Sequence, residues 1–165
     1  MNNYKVQYDL VRRSRDLLFT YCESMKPSDY LKKVERLGEH SIPSLHCHVS
    51  DAYRIWIGKR ALGKSVEKTP PQKITSVEQM RKVFHKTDEI VYEFLENFTA
   101  DWNQASQDTW NSNSAELTEL WLFTHTVTHE FHHRGQIVKI GQQLGYKPPK
   151  LILPKPIKKE NWNLE

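Results

Sequence analysis

The sequence contains one segment that decides both its fold and its chemistry, HTVTHEFHHRGQI at residues 125–137. It lies within a pattern of apolar residues at helical spacing that runs over about 114–144. Gly145 and the pair Pro148-Pro149 follow, and these residues are typical of a helix stop. The spacing therefore predicts a long helix that carries four of the eight histidines in the chain.

Two of these histidines, His129 and His133, are four residues apart, so on a helix they share one face with Cβ atoms about 5–6 Å apart. At about 100° per residue they fall in one narrow sector with Leu122 and Ile140, which predicts that the pair points inward. A lone histidine in such a place is usually a core residue. Two buried imidazoles side by side need partners, and a metal ion supplies one to both.

Two histidines do not complete a metal site, so a third ligand is expected from another helix. His46 and His48 lie on the second predicted helix, two residues apart, and therefore face different directions. Both have apolar neighbours at helical spacing, which leaves the choice between them open. Three histidines with one open position form the type of centre that activates a bound water, and zinc, nickel, copper or iron would suit it.

The segment 129–133 also matches H-E-x-x-H, the zinc-protease pattern in which the glutamate, here Glu130, is a general base. Such sites need a further ligand later in the chain, and no histidine follows His133. We therefore do not expect a protease, and Glu130 is a general base only under that interpretation. His125 and His132 are either hydrogen-bond partners of the ligands or surface residues.

The remaining periodicity predicts three more helices, over about 4–25, 41–62 and 75–98. Ser41 is expected to cap the second, and the capping box Thr75-Ser76-Val77-Glu78 to begin the third. Residues 100–113 are expected to form a loop or a short hairpin. The fold class is therefore all-α, a four-helix bundle in one domain over 1–165, with its core at 4–144 and an extended Pro/Lys-rich tail at 145–165.

Composition excludes several classes of protein. No run approaches the ~18 apolar residues of a membrane span, and the first residues show no apolar signal region, so a cytoplasmic location is expected. Two cysteines, Cys22 and Cys47, do not make a disulfide framework. The net charge of +4 is mild, so nucleic-acid binding through the lysine-rich tail and Trp162 is not expected.

The fourth-helix run H-x-x-x-H-R-G-Q-I, residues 129–137, resembles the signature of the DinB/YfiT-like family, and so does His48-Val-Ser-Asp-Ala at 48–52. The resemblance covers about residues 4–144. It implies an up-down-down-up four-helix bundle, a homodimer, and a divalent metal held by His48, His129 and His133. The resemblance thus selects His48 over His46.

The resemblance further implies a metal-dependent enzyme acting on a small molecule, with a metal-bound thiol or water as the reacting group. We expect thiol-dependent S-transfer first, with a low-molecular-weight thiol as cofactor. A metal-dependent hydrolase and a non-catalytic metal-binding or stress-response module are the alternatives. Zinc or nickel is the expected ion, with manganese or iron as alternatives. Arg54 or Arg134 could recognise a carboxylate of the thiol, although a solvated or paired arginine is the favoured interpretation of each.

Overall fold

The computed structural model describes residues 3–35, 38–97, 105–110 and 115–148, with only the backbone described at 105–110, 115 and 116. Four long helices form a bundle: α1 at Asn3–Glu23, α3 at Ile42–Tyr53, α4 at Val77–Asn97 and α5 at Glu119–Gln143. A short helix α2 at Pro27–Tyr30 and a 3₁₀ turn at Pro71–Lys73 lie in the connections. The predicted all-α four-helix bundle is confirmed. The predicted tail lies almost entirely at 149–165, outside the described residues.

Helix α3 begins where the sequence predicts and then continues as a different type of helix. Ser41 Oγ accepts from the Ser44 amide at 3.3 Å, and Ser44 Oγ accepts from the Ser41 amide at 3.0 Å, which satisfies two donors at the helix start. Beyond Tyr53 the helix continues as a π-helix over Arg54–Ala61. Such wider turns change the direction in which side chains project, and they are frequent at functional sites.

The predicted start of α4 is wrong by one residue. Ser76 Oγ, rather than Thr75, accepts from a backbone amide, that of Gln79 at 3.3 Å. The Gln79 side chain reaches back and accepts from the Thr75 amide at 2.7 Å. The sequence fits the capping-box pattern in both registers; the structure uses Ser76 and Gln79, with the Gln79 side chain bonded to the amide one residue before Ser76.

The predicted start of α5 near Ser114 is also wrong. Residues Ala115–Thr118 form strand β2, which pairs antiparallel with strand β1 at Ala105–Trp110. The backbone groups of β2 are therefore used in the hairpin. Helix α5 starts only after Thr118, whose hydroxyl accepts from the Trp121 amide at 3.2 Å.

Gly141 of α5 packs directly against Tyr21 of α1 and against Met25, which follows α1. A Cβ atom there would overlap the Tyr21 hydroxyl and come within 2.8 Å of Met25 Cε. Gly135, on the same helix, has nothing within 4 Å of a Cβ position. Packing therefore requires a glycine at position 141, whereas the space at position 135 would admit a larger residue.

This contrast gives a matched pair of variants. We expect Gly141→Ala to lower the free energy of unfolding by about 1–3 kcal/mol through overpacking against α1. Gly135→Ala should raise it by about 0.5–1 kcal/mol, because alanine favours a helix interior over glycine. Urea unfolding followed by circular dichroism measures both, and equal effects of the two variants would contradict the packing argument.

Candidate metal centre

Three histidines from two helices converge between α3 and α5. His48 projects from α3, and its ring centroid lies 4.9 Å from that of His129 and 4.6 Å from that of His133. One ring nitrogen from each lies within 4.8 Å of the others. The Nε2 atoms of His129 and His133 are 3.1 Å apart. Two nitrogens bound to one tetrahedral zinc lie about 3.3–3.4 Å apart, given bonds of about 2.0–2.1 Å, so this group could hold a metal ion.

The group lies at the surface of the bundle. His48 is exposed, and His129 and His133 are half-buried. Leu122 and Ile140, which the sequence places in the same sector of α5, are fully buried. The pair therefore points toward α3 at the edge of the core and is less enclosed than the apolar spacing predicts. This position leaves the group accessible to solvent and to small molecules.

Hydrogen bonding prepares His133 to bind a metal through Nε2. Its Nδ1 donates to Gln136 Oε1 at 2.7 Å, and Gln136 Nε2 donates to His132 Nε2 at 3.2 Å. Metal-binding imidazoles in proteins usually donate their second ring nitrogen in this way. The sequence pattern includes Gln136 only as part of the H-x-x-x-H-R-G-Q-I motif and predicts no role for it. Its position three residues after His133 could have indicated the contact.

The electrostatics of the group favour neutral imidazoles. Burial, followed by the neighbouring His133 and His48 rings, lowers the pKa of His129 to about 4. Burial also lowers the pKa of His133, against the opposing effect of the hydrogen bond with Gln136. Both rings are therefore unprotonated near neutral pH, which is the form that binds metal.

Aromatic rings flank the group on the side of the π-helix. Trp56 lies on the π-helix, with its ring centroid 4.8 Å from that of His125. The Trp121 ring stacks on His125 at 4.7 Å with an interplanar angle of 6°. The His125 ring centroid is 5.9 Å from that of His129. His125 is thus stacked on Trp121 and neighbours His129, and it lies outside the group itself.

His46 lies away from this group. It is 2% exposed and packs between Phe19 and Phe84, with ring centroids 5.1 and 6.1 Å away. Burial lowers its pKa to about 3, with the Arg15 and Arg134 charges acting in the same direction. His46 is therefore a neutral core residue, and His48 is the residue that α3 places beside the pair.

Glu130 is not positioned as a general base. It is 1% exposed and binds the Arg15 guanidinium through both oxygens, Oε1 to Nε at 2.8 Å and Oε2 to Nη2 at 2.9 Å. The Tyr53 hydroxyl also donates to Oε2, at 2.8 Å. The H-E-x-x-H spacing is therefore present, but its glutamate forms a buried ion pair. The structure gives no support to a protease mechanism.

Neither candidate arginine offers an open guanidinium at the mouth. Arg134 is 4% exposed, and its Nη2 donates to the Ser14 carbonyl at 2.9 Å and the Ser14 hydroxyl at 2.7 Å. Arg54 Nη1 donates to Thr69 Oγ1 at 3.1 Å. Both arginines therefore bond to neutral oxygen atoms, and Arg134 is neither solvated nor ion-paired among the described residues, unlike the interpretation favoured from the sequence.

The two cysteines are core residues. Burial raises the pKa of both Cys22 and Cys47 to about 12. Both thiols are therefore protonated at neutral pH, and neither is a nucleophile or a ready metal ligand.

A four-helix bundle with a three-histidine group between two of its helices is the class of protein that these observations define. A sequence model of the DinB family matches residues 1–163. The chain therefore belongs to the DinB family. No curated protein matches the sequence. No described helix is long and apolar enough to cross a membrane.

The burial of His46 predicts a specific pH dependence. Its pKa is about 3 in the folded protein, below the ordinary value of ~6.5, so the unfolded chain takes up the proton first as pH falls. Stability should be lost from about pH 6.5 downward, at up to ~1.4 kcal/mol per pH unit. Urea unfolding between pH 7 and 4 should show a shallower dependence for His46→Leu. An unchanged slope in that variant would contradict the assignment.

The burial of Glu130 predicts a large cost for breaking its ion pair. Glu130→Leu should lower the free energy of unfolding by about 3–5 kcal/mol, because Arg15 is left as a buried charge with fewer partners. The double variant Arg15→Met/Glu130→Leu should be less destabilised than Glu130→Leu alone. Urea unfolding measures both, and a loss below ~1 kcal/mol in the single variant would show that the pair is not a structural constraint.

Proposed function

We propose that this protein is a metal-dependent enzyme in which His48, His129 and His133 hold one divalent ion and leave a position open for a substrate. The observation that supports this most directly is the 3.1 Å separation of the His129 and His133 Nε2 atoms, with His48 packed against both rings. Zinc or nickel is the proposed ion, with manganese or iron as alternatives. The chain is treated as one domain over residues 1–165.

The bound ion would act as a Lewis acid that lowers the pKa of a coordinated thiol or water. The residues of the chain would orient the metal-binding rings and leave access for the substrate. Gln136 holds the His133 ring with Nε2 available, and the exposed side of His48 leaves access from solvent. The rings of Trp56 and His125 limit access from the π-helix side.

We favour thiol transfer over hydrolysis because the described group contains no carboxylate. Among the described residues, the group comprises three histidines and no Asp or Glu, and Glu130 is held by Arg15. A metal ion could activate water as well as a thiol, but hydrolases commonly use a further acid–base group to protonate the leaving group. A metal-bound thiolate is itself a nucleophile and carries no proton to transfer.

The thiol would come from a small cofactor. Cys22 and Cys47 are buried and protonated, so the chain itself supplies no thiolate near the group. A small-molecule electrophile would be the second substrate. A homodimer belongs to the same proposal and rests on the family resemblance. A cytoplasmic location is proposed with it from the composition of the sequence.

Metal content tests the ligand assignment. We expect about one metal ion per chain by elemental mass spectrometry of protein purified without a tag or chelator. His48→Ala and His129→Ala should each lose it, whereas His85→Ala should retain it, because His85 is exposed on α4 beside Glu89. A wild-type protein that holds no metal, and whose melting temperature does not rise with zinc, nickel or manganese, would overturn the proposal.

Turnover tests the reaction. The metal-loaded protein should consume a low-molecular-weight thiol in the presence of a panel of small electrophiles, and His129→Ala should fall to the uncatalysed rate. Hydrolysis without thiol consumption would replace the transferase with a hydrolase. A metal-loaded protein with neither activity would be a metal-binding module, and the enzyme proposal would fail.

A further inference from the structure

The three-histidine group differs in how its members are held. Of the two ligand candidates on α5, His133 has a hydrogen bond from Nδ1, to Gln136 Oε1 at 2.7 Å. The Nδ1 atom of His129 is buried and has no hydrogen-bond partner among the described residues. Gln136 thus holds the His133 ring from outside the pair, whose Nε2 atoms lie 3.1 Å apart.

We propose that Gln136 is a positioning residue that selects the tautomer of His133, and that His132 fixes the direction of the Gln136 amide. The inference rests on the proposed metal site and adds two residues to it. A glutamine amide has one accepting end and one donating end. Only the orientation with Oε1 toward His133 keeps a proton on Nδ1 and leaves Nε2 as an electron-pair donor for the metal.

The reverse orientation would have the opposite effect. With the amide turned over, its NH₂ group would face His133 Nδ1, and that nitrogen would have to accept. The ring proton would then lie on Nε2, where it blocks metal binding. The energies of the two orientations would be similar without a further contact, because oxygen and nitrogen of the amide occupy nearly the same space.

His132 supplies that further contact. Its Nε2 lies 3.2 Å from Gln136 Nε2 and accepts from it. This bond gives the NH₂ end of the amide its own partner and directs Oε1 toward His133. The three side chains occupy positions 132, 133 and 136 of one helix. The hydrogen bonds that link His132, Gln136 and His133 therefore lie within α5 alone.

The structure gives a conservative variant that separates this role from simple packing. A carboxylate at position 136 accepts through either oxygen and has no donating end. Gln136→Glu should therefore keep the His133 tautomer without help from His132. Gln136→Leu fills a similar volume and removes the acceptor.

The first experiment measures zinc affinity by competition with a chromophoric chelator. We expect Gln136→Leu to weaken affinity by about 10–100-fold, the usual effect of losing a hydrogen-bond partner of a ligand. Gln136→Glu should stay within a few-fold of wild type, and Gln142→Leu, an exposed position on the same helix, should not change it. Equal affinities of wild type and Gln136→Leu would overturn the inference.

A double variant tests the part played by His132. His132→Leu should weaken zinc affinity in the wild-type background, by less than Gln136→Leu does. In the Gln136→Glu background the same change should alter affinity by less than about twofold, since a carboxylate has no orientation to lose. An equal loss of zinc affinity in both backgrounds would show that His132 does not orient the Gln136 amide.

The second experiment needs no metal, which separates this inference from the metal proposal. Nitrogen-15 NMR of the histidine rings in metal-free protein should show the proton of His133 on Nδ1, and Gln136→Leu should shift the population toward Nε2. If wild-type protein binds no metal, the metal proposal fails while this readout still tests the tautomer. A His133 ring with its proton on Nε2 in wild-type protein would overturn the inference outright.

Discussion

The buried charge cluster around Arg15 is the constraint on which the arrangement of the bundle depends. Arg15 on α1 is 2% exposed and binds Glu130 on α5 and Asp88 on α4, the latter through Nη1 at 2.7 Å. Burial acts to lower the pKa of Arg15, but the Glu130 charge and its neighbours outweigh it and hold the pKa well above the ordinary value. Buried ions of this kind are costly unless every partner is present, so the cluster admits few alternative packings of the helices. The hydroxyls of Tyr8 and Tyr53 donate to the two carboxylates and tie the cluster further to α1 and α3.

The same cluster determines where the three-histidine group can form. Glu130 directly follows His129 in the chain, so anchoring its carboxylate to Arg15 fixes the rotation of α5 about its axis. His129 and His133 lie about 100° and 60° around the helix from Glu130, so the adjacent face of α5 then presents them toward His48. The position of the three-histidine group is therefore set by an ion pair that takes no part in it.

The sequence pattern carries enough information to predict the long helices and the His129–His133 pair, whereas the choice of His48 over His46 rests on the family resemblance. Helical periodicity depends on neighbours three or four residues away, and the His129–His133 pair is a contact of this kind. The role of Glu130 could not be read in this way, because its partner Arg15 is 115 residues away along the chain. The local pattern H-E-x-x-H instead suggests a general base at this position. At the start of α4, the sequence offers overlapping capping patterns at Thr75 and Ser76, and local spacing alone selects the wrong one.

One helix serves two separate purposes on its two sides. The buried side of α5 carries the charge cluster and the apolar core, whereas the three histidines lie at the margin and are exposed or half-buried. Substitution of a histidine at that margin removes little buried surface and no core ion pair. A lineage of such bundles can therefore change these three positions through single substitutions without passing through an unfolded ancestor.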